Sequence, residues 1–93
     1  NYIVQVISGV SDSGIRKLLK LKKLNAKYNS KITNVNHLAN LEILYCQNCC
    51  GISDSGIQNL FKLKQLYAEY NPKISNVNHL AQLEILNCSG DRG

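Results

Sequence analysis

The chain has 93 residues and a formal charge of +5, from 11 Lys and Arg against 6 Asp and Glu. This length fits one domain, and no apolar run approaches the roughly 20 residues that a membrane-spanning helix needs. No basic segment leads into an apolar stretch as in a signal peptide. We therefore expect no membrane association. Because the sequence starts at Asn1 and not at a methionine, the absence of a signal-peptide pattern only weakly excludes a targeting segment.

The sequence repeats with a period of 42 residues. The segment SDSGI at 11–15 returns at 53–57, and NVNHLA at 34–39 returns at 76–81. A fixed period in a short chain is typical of one structural unit stacked on copies of itself. Function is then expected on a surface, because repeated sequence rarely builds a unique catalytic pocket.

Each period divides into two units that share the spacing Leu-x-x-Leu-x-apolar. The units start at Leu21, Leu41, Leu63 and Leu83. This spacing predicts a single domain over 1–93 with units at 1–20, 21–40, 41–62 and 63–82 and a partial unit at 83–93. Both ends fall inside the pattern, so we expect a segment of a longer array.

Alternation of apolar and polar residues predicts one short strand in each unit, since successive side chains of a strand point to opposite faces. Neighbouring strands would run parallel, about 4.8 Å apart. The predicted strands centre on residues 4–6, 23–26, 43–46, 65–68 and 85–88. The predicted buried residues include Leu24, Leu44, Leu66, Leu86, Ile32, Ile52 and Ile74.

The ninth position of the units carries Asn29, Cys49 and Asn71. The chain is expected to turn inward at this position, where buried backbone groups need a side-chain partner. We predict that these three residues form a structural ladder between units, with Cys as the weaker member.

Two kinds of return segment alternate after the strands. At the SDSGI segments, a Ser or Asp is expected to cap a helix. The two helices would begin after Ser11 and Ser53, and their apolar positions would be Ile15, Leu18, Leu19, Ile57, Leu60 and Phe61. The NVNHL segments are too short for more than a turn or a 3₁₀ segment.

Together these patterns resemble the leucine-rich repeat, Leu-x-x-Leu-x-Leu-x-x-Asn/Cys. The unit containing Cys49-Cys50-Gly51-Ile52 is similar to the cysteine-containing repeats of F-box substrate adaptors, whereas Asn71-x-x-Ile74-x-x-Val77 is similar to the short repeats of phosphatase regulatory subunits. The segments NPKISNVNHL and CGISDSGI also resemble leucine-rich repeat proteins of large amoeba-infecting DNA viruses. The resemblance implies an α/β solenoid with a curved parallel sheet on its concave face and helices or 3₁₀ turns on its convex face.

The cysteines and histidines do not predict a reactive centre. Cys46 and Cys88 are equivalent positions two units apart, so their backbones should lie about 10 Å from each other. That exceeds the roughly 7 Å limit for a disulfide and is too far for a shared zinc ion. His37 and His79 recur with the repeat, which favours a structural role. We predict free thiols, a reducing compartment, no metal, no cofactor and no enzymatic activity.

The outward side chains of the predicted sheet are the expected protein-binding site. Tyr45 and Tyr67 should be adjacent, one strand spacing apart. Tyrosine is enriched at binding hot spots, although a stacked pair could equally serve only to stabilise the sheet. The predicted binding residues are Lys23, Asn25, Lys27, Tyr45, Gln47, Gln65, Tyr67 and Glu69.

The expected function is non-enzymatic protein recognition or assembly in the cytoplasm or in a virus particle, with a protein partner of unknown identity. One alternative is a structural component of a virus particle that packs through its faces and through self-association of uncapped ends. A weaker alternative is nucleic-acid binding, because residues 1–40 carry seven Lys and Arg against one Asp. Against it, Lys27 and Glu69 share one predicted row, which makes a poor track for phosphates.

Overall fold

Five short strands form one parallel sheet in a computed structural model that describes residues 3–5, as backbone, together with 11–48 and 50–88. The strands follow one another across the sheet in chain order. They are β1 (Ile3–Gln5), β2 (Lys23–Asn25), β3 (Ile43–Tyr45), β4 (Gln65–Tyr67) and β5 (Ile85–Asn87). The prediction of a single parallel sheet is confirmed.

The register places equivalent residues of successive units side by side. Leu24, Leu44 and Leu66 form one row across β2, β3 and β4. This row points inward and is fully buried. Because side chains alternate along a strand, the residues on either side of each leucine point outward.

The core lies between the inner face of the sheet and the return segments. It is one apolar cluster that combines the leucine row with side chains from the segments that follow each strand. The main contributors from the return segments are Ile15, Ile32, Val35, Leu38, Ile52, Ile57, Leu60, Ile74 and Leu80. Six of the seven residues named above as buried are therefore in the core.

Leu86 is the exception, because the residue is 45 % exposed. It extends the leucine row into β5, but β5 is the edge strand of the described sheet and only β4 packs beside it. The prediction that Leu86 is buried was wrong, because a leucine of this row is buried only where a neighbouring unit packs on each side of its strand. Ile85, at 43 %, is exposed because it precedes Leu86 on β5 and points to the outward side of the sheet.

The helices predicted after Ser11 and Ser53 are single 3₁₀ turns, η1 (Asp12–Ile15) and η2 (Asp54–Ile57). Neither serine side chain caps its turn, so the predicted capping was wrong. Gly56 of η2 lies against the preceding unit, where a Cβ atom would be 2.1 Å from the Thr33 carbonyl oxygen, so this position of the turn requires glycine.

Each turn ends after four residues, so the residues that follow it do not face the core at the spacing that an α-helix would give them. Ile15, Ile57 and Leu60 are buried as predicted. Leu19 and Phe61, which an α-helix would have turned toward the core, are instead 54 % and 56 % exposed. Leu18 is partly exposed as well.

The aspartates of the two turns bind the next unit instead of their own turn. Asp12 accepts hydrogen bonds from the backbone N–H of Thr33 at 2.7 Å and from its hydroxyl at 2.6 Å. Asp54 accepts the equivalent pair from Ser75, at 2.7 and 2.8 Å. Burial by itself would raise the pKa of each carboxyl, but these hydrogen bonds outweigh it and lower both pKa values.

Acid should therefore weaken the contacts between units. Each aspartate has a lower pKa in the folded chain, so its stabilising contribution is present above the unfolded pKa of about 3.9 and is lost as the pH falls through the folded pKa. Urea denaturation at pH values between about 2 and 6 should show that the free energy of unfolding decreases as the pH is lowered. The Asp12→Asn/Asp54→Asn double variant should show a shallower fall, and an identical profile would contradict this assignment.

Asn71 ties the fourth unit to the third inside the core. It is 1 % exposed, and its Nδ2 donates to the carbonyls of Cys46 at 2.9 Å and Ile52 at 3.2 Å. Its Oδ1 accepts from the backbone N–H of Lys73 at 3.1 Å. One amide thus satisfies backbone groups of two units.

Asn29 occupies the same position two units earlier and is fully buried. Its Oδ1 accepts from the backbone N–H groups of Lys31 at 2.8 Å and Ile32 at 3.2 Å. Both asparagines therefore hold the turn that follows their strand. Cys49, the third residue of the predicted ladder, lies outside the described residues.

Candidate protein-interaction surface

The outward side chains of β2, β3 and β4 form one continuous surface with the residues just beyond these strands. Backbone hydrogen bonds from Tyr28 N to Gln47 O and from Asn48 N to Glu69 O extend the strand pairing past the strand ends. All eight predicted binding residues therefore lie on three neighbouring units. We call this surface the tyrosine face; its members are Lys23, Asn25, Lys27, Tyr45, Gln47, Gln65, Tyr67 and Glu69.

Tyr45 and Tyr67 stack at the centre of the tyrosine face. Their ring centroids are 4.8 Å apart and the ring planes differ by 11°, which matches one strand spacing. The Tyr67 hydroxyl donates to Gln65 Oε1 at 2.8 Å. The sheet register thus holds two aromatic rings in a defined orientation relative to each other.

Two lysines contribute positive charge at the β2 side of the tyrosine face. Lys23 Nζ lies 5.5 Å from the ring centroid of Tyr45, and Lys27 Nζ lies 5.2 Å from that of Tyr28. Both distances are within the range of cation–π attraction. The β4 side carries Glu69 instead, so the charge changes sign across the face.

Gln47 and Glu69 each have a buried acceptor atom without a donor. The Oε1 atoms of both side chains are inaccessible to solvent and have no hydrogen-bond partner. Leaving such an acceptor unpaired costs about 1–3 kcal/mol. The two residues are neighbours in the extended strand pairing, so these acceptors belong to adjacent units of the tyrosine face.

Tyr28 and Tyr70 lie just beyond the ends of their strands and are 60 % and 56 % exposed. Their φ angles of 65° and 59° are in the left-handed region, which a bulky side chain rarely adopts. At both positions the chain turns inward toward a buried asparagine. The turn thus projects a large aromatic side chain beside the tyrosine face.

The return side of the molecule holds two grooves that are repeat equivalents, with volumes of about 460 and 380 Å³. Their polar groups are largely used between units: His37 Nε2 contacts the Ile15 carbonyl at 3.0 Å, and His79 Nε2 contacts that of Ile57 at 3.1 Å. Both histidines thus connect one unit to the preceding one. The larger groove is lined by Asp54, Ser55, Gln58, Asn76, Asn78 and His79, and the smaller by their equivalents 42 residues earlier.

Cys50 is a buried residue for which the repeat pattern predicted no position in the core. Its thiol hydrogen-bonds with that of Cys46, and both side chains are in the core. This hydrogen bond, together with burial, raises the pKa of Cys46 well above its usual value. The same hydrogen bond and the backbone N–H of Ile52 lower the pKa of Cys50 despite its burial.

Thiol reactivity should follow this burial. Under denaturing, non-reducing conditions, a thiol titration should find four reactive cysteines per chain. In the native protein, the partly exposed Cys88 should react well before Cys46, which is fully buried and has a raised pKa. Equal native rates, or fewer than four thiols after denaturation, would contradict the burial and the free-thiol assignment.

No group of three or more His, Cys, Asp or Glu side chains among the described residues could hold a metal ion. In the same part of the chain, no helix has the length and apolar character needed to cross a membrane. The side chains of the tyrosine face offer an aromatic stack, a hydrogen-bonding phenol and charged groups.

Comparison of this sequence with protein-family models and with curated proteins finds no match. The leucine-rich-repeat resemblance remains a prediction from the residue pattern.

Proposed function

We propose that this chain is part of a leucine-rich-repeat solenoid and binds a protein partner through the tyrosine face. The consecutive parallel strands and the 20- and 22-residue units support the solenoid. The observation that carries the binding role is the stacked pair of Tyr45 and Tyr67 on the outward side of the sheet. Tyrosine combines a large contact area with a polar tip, and it is enriched where interfaces are strongest.

Preorganisation favours recognition at this position. Association costs free energy when side chains must be ordered, but the Tyr45 and Tyr67 rings are already ordered by each other and by the sheet. Lys23 at one side and Glu69 at the other add charges of opposite sign, which select the orientation of a partner. The face is thus suited to one docked orientation of a protein surface or peptide.

Replacing both tyrosines with serine separates a binding role from a structural one. After the full chain has captured its partner from the native source and mass spectrometry has identified it, the Tyr45→Ser/Tyr67→Ser variant should bind that partner at least about 30-fold more weakly, since hot spots exceed about 2 kcal/mol. The melting temperature should change little.

Phe61→Ser is the control, because Phe61 is an aromatic residue on the return side, away from the tyrosine face, and is 56 % exposed. It should leave partner binding intact. Undiminished binding by the folded double-serine variant would exclude the tyrosine face as the site. A large fall in melting temperature without selective loss of binding would mean that the stack is structural.

A further inference from the structure

The edge of the sheet where the strands begin carries a row of alternating charges. The residues immediately before strands β2 to β5 are Lys22, Glu42, Lys64 and Glu84. The backbone N–H of each of the last three donates to the carbonyl of the preceding member, at 2.8, 2.8 and 2.7 Å. The four residues are therefore direct neighbours, and the sign of the charge changes at each step from one unit to the next.

Little of this charge is held by strong contacts inside the chain. Lys22 and Glu42 form an ion pair at 3.8 Å, and both side chains remain partly exposed. Lys64 and Glu84 are exposed and form no ion pair with any other described residue. Exposed ion pairs contribute little to stability. A partner that presents the opposite charges in the same order can therefore form contacts along the row without breaking strong ones.

Two further rows accompany the charged row, two and three residues earlier in each unit. One alternates lysine with a side-chain amide, and the other alternates large and small apolar side chains. Lys62 Nζ donates to Asn40 Oδ1 at 3.0 Å, and Asn40 Nδ2 donates to the Leu19 carbonyl at 3.4 Å. The rows are Lys20, Asn40, Lys62 and Gln82, and Leu19, Ala39, Phe61 and Ala81. We call the three rows together the N-terminal edge.

The alternation makes the charged row complementary to itself. In a symmetric dimer, the same surface of each copy forms the interface. A two-fold axis that passes between Glu42 and Lys64 reverses the order of the units in the second copy. Glu42 then faces the second copy's Lys64, and Lys22 faces its Glu84. Every charge of the row is thus opposite a charge of the other sign.

The same axis matches the other two rows. Phe61 would face Ala39 of the second copy, so that a large apolar side chain meets a small one, and Lys62 would face the second copy's Asn40 amide. Phe61 is exposed although it lies between β3 and β4, with strands on both sides, so a missing unit does not explain its exposure. Apolar surface bordered by charge is typical of contacts between proteins.

Other alignments oppose like charges. An axis through Glu42 would place this residue against its own copy and Lys22 against Lys64. We propose that two copies of the chain bind each other through the N-terminal edge, across the axis between Glu42 and Lys64. The tyrosine face lies on the outward side of the sheet and stays free in this dimer. Self-association is therefore a second property of the chain and does not depend on the proposed function.

The dimer should be weak, because the N-terminal edge is small and the chain carries a net charge of +5. The first and last charges of the row are three strand spacings apart, about 14 Å, and small interfaces lie at the weak end of specific association. The net charge also repels a second copy. We expect a Kd of about 100 µM, which sedimentation equilibrium of the full chain at up to about 1 mM can measure.

Charge reversal at the two central residues tests the pairing. Glu42→Lys would oppose two lysines across the axis, and Lys64→Glu would oppose two glutamates. Each variant alone should dimerise at least about tenfold more weakly than the parent. An equimolar mixture of the two should form a heterodimer with a Kd within about threefold of the parent value, because every opposed pair again has unlike charges. Ion pairs inside one chain cannot produce such a rescue between chains.

Lys31→Glu is the matched control for Lys64→Glu. Lys31 is exposed and follows the other end of β2, and both substitutions lower the net charge and thus the general repulsion between copies. Only Lys64→Glu should weaken the dimer. The outer pair, Lys22→Glu and Glu84→Lys, repeats the mixing test at exposed positions. Melting curves establish that each variant is folded.

The outcomes bear on the N-terminal edge alone. A parent chain that stays monomeric at about 1 mM, folded reversal variants that dimerise as the parent does, or mixtures that stay monomeric would overturn the proposal. Loss of the dimer in the Tyr45→Ser/Tyr67→Ser variant would place the contact on the tyrosine face and overturn it as well. The proposed function is tested separately by partner binding, which does not require the dimer.

Discussion

Replacing Leu66 with alanine should lower the free energy of unfolding by about 2–5 kcal/mol. Leu66 is fully buried at the centre of the leucine row, between Leu44 and Leu86. Truncation removes apolar surface from the core. It leaves a cavity lined by the neighbouring residues on both sides of position 66. A domain of this size has a total stability of roughly 5–14 kcal/mol, so the change removes a large part of it.

Leu86→Ala is the matched control for this prediction. Leu86 occupies the same position of its unit and the same row of the sheet, but it is 45 % exposed. Its truncation should cost less than about 1 kcal/mol, as for substitutions outside a packed core. Urea denaturation followed by circular dichroism measures both values. Equal costs for the two variants would show that β4 and β5 do not differ in packing as described.

The sheet could be predicted because its signal is local and repeated. Alternation of apolar and polar residues sets which side of a strand faces the core, and the unit length sets which residues become neighbours. The adjacency of Tyr45 and Tyr67 follows from these two facts alone. The spacing of 4.8 Å between their rings agrees with the expected strand separation.

The return segments could not be predicted to the same depth, because their partners are distant in sequence. Asp12 has the residue type and position of a helix cap, yet it binds Thr33, which lies 21 residues away. A local pattern cannot distinguish these two uses of one carboxylate. Burial of Leu86 likewise depends on the unit stacked beside it and not on its own sequence position.

The finer features of the candidate site depend on side-chain orientation. Spacing placed Gln47 and Glu69 on the tyrosine face, but it gave no indication that their Oε1 atoms would lack donors. The burial of Cys50 beside Cys46 could not be predicted from the sequence either, because the adjacent Cys49 fits the repeat pattern better. Sequence periodicity therefore predicts which residues share the surface, whereas the burial and hydrogen bonding of their polar atoms are seen only in the packed structure.

Replacing Asn71 with alanine should destabilise the chain by at least about 2 kcal/mol. The Asn71 amide donates to the buried carbonyls of Cys46 and Ile52, and loss of a donor leaves each carbonyl unsatisfied at a cost of about 1–3 kcal/mol. The backbone N–H of Lys73 also loses its acceptor. Water cannot readily replace the amide, because Asn71 is only 1 % exposed.

Asn78→Ala is the control, since Asn78 belongs to the same unit but is exposed on the return side, and it should change stability by less than about 0.5 kcal/mol. Urea denaturation of both variants measures the difference. Asn71→Asp adds a sharper test, because a carboxylate can still accept from Lys73 but cannot donate to the two carbonyls. If donation to the preceding unit is what stabilises the fold, the aspartate variant should be at least as unstable as the alanine variant. Retention of the parent's stability by Asn71→Asp would show instead that the acceptor side of the amide is the part that matters.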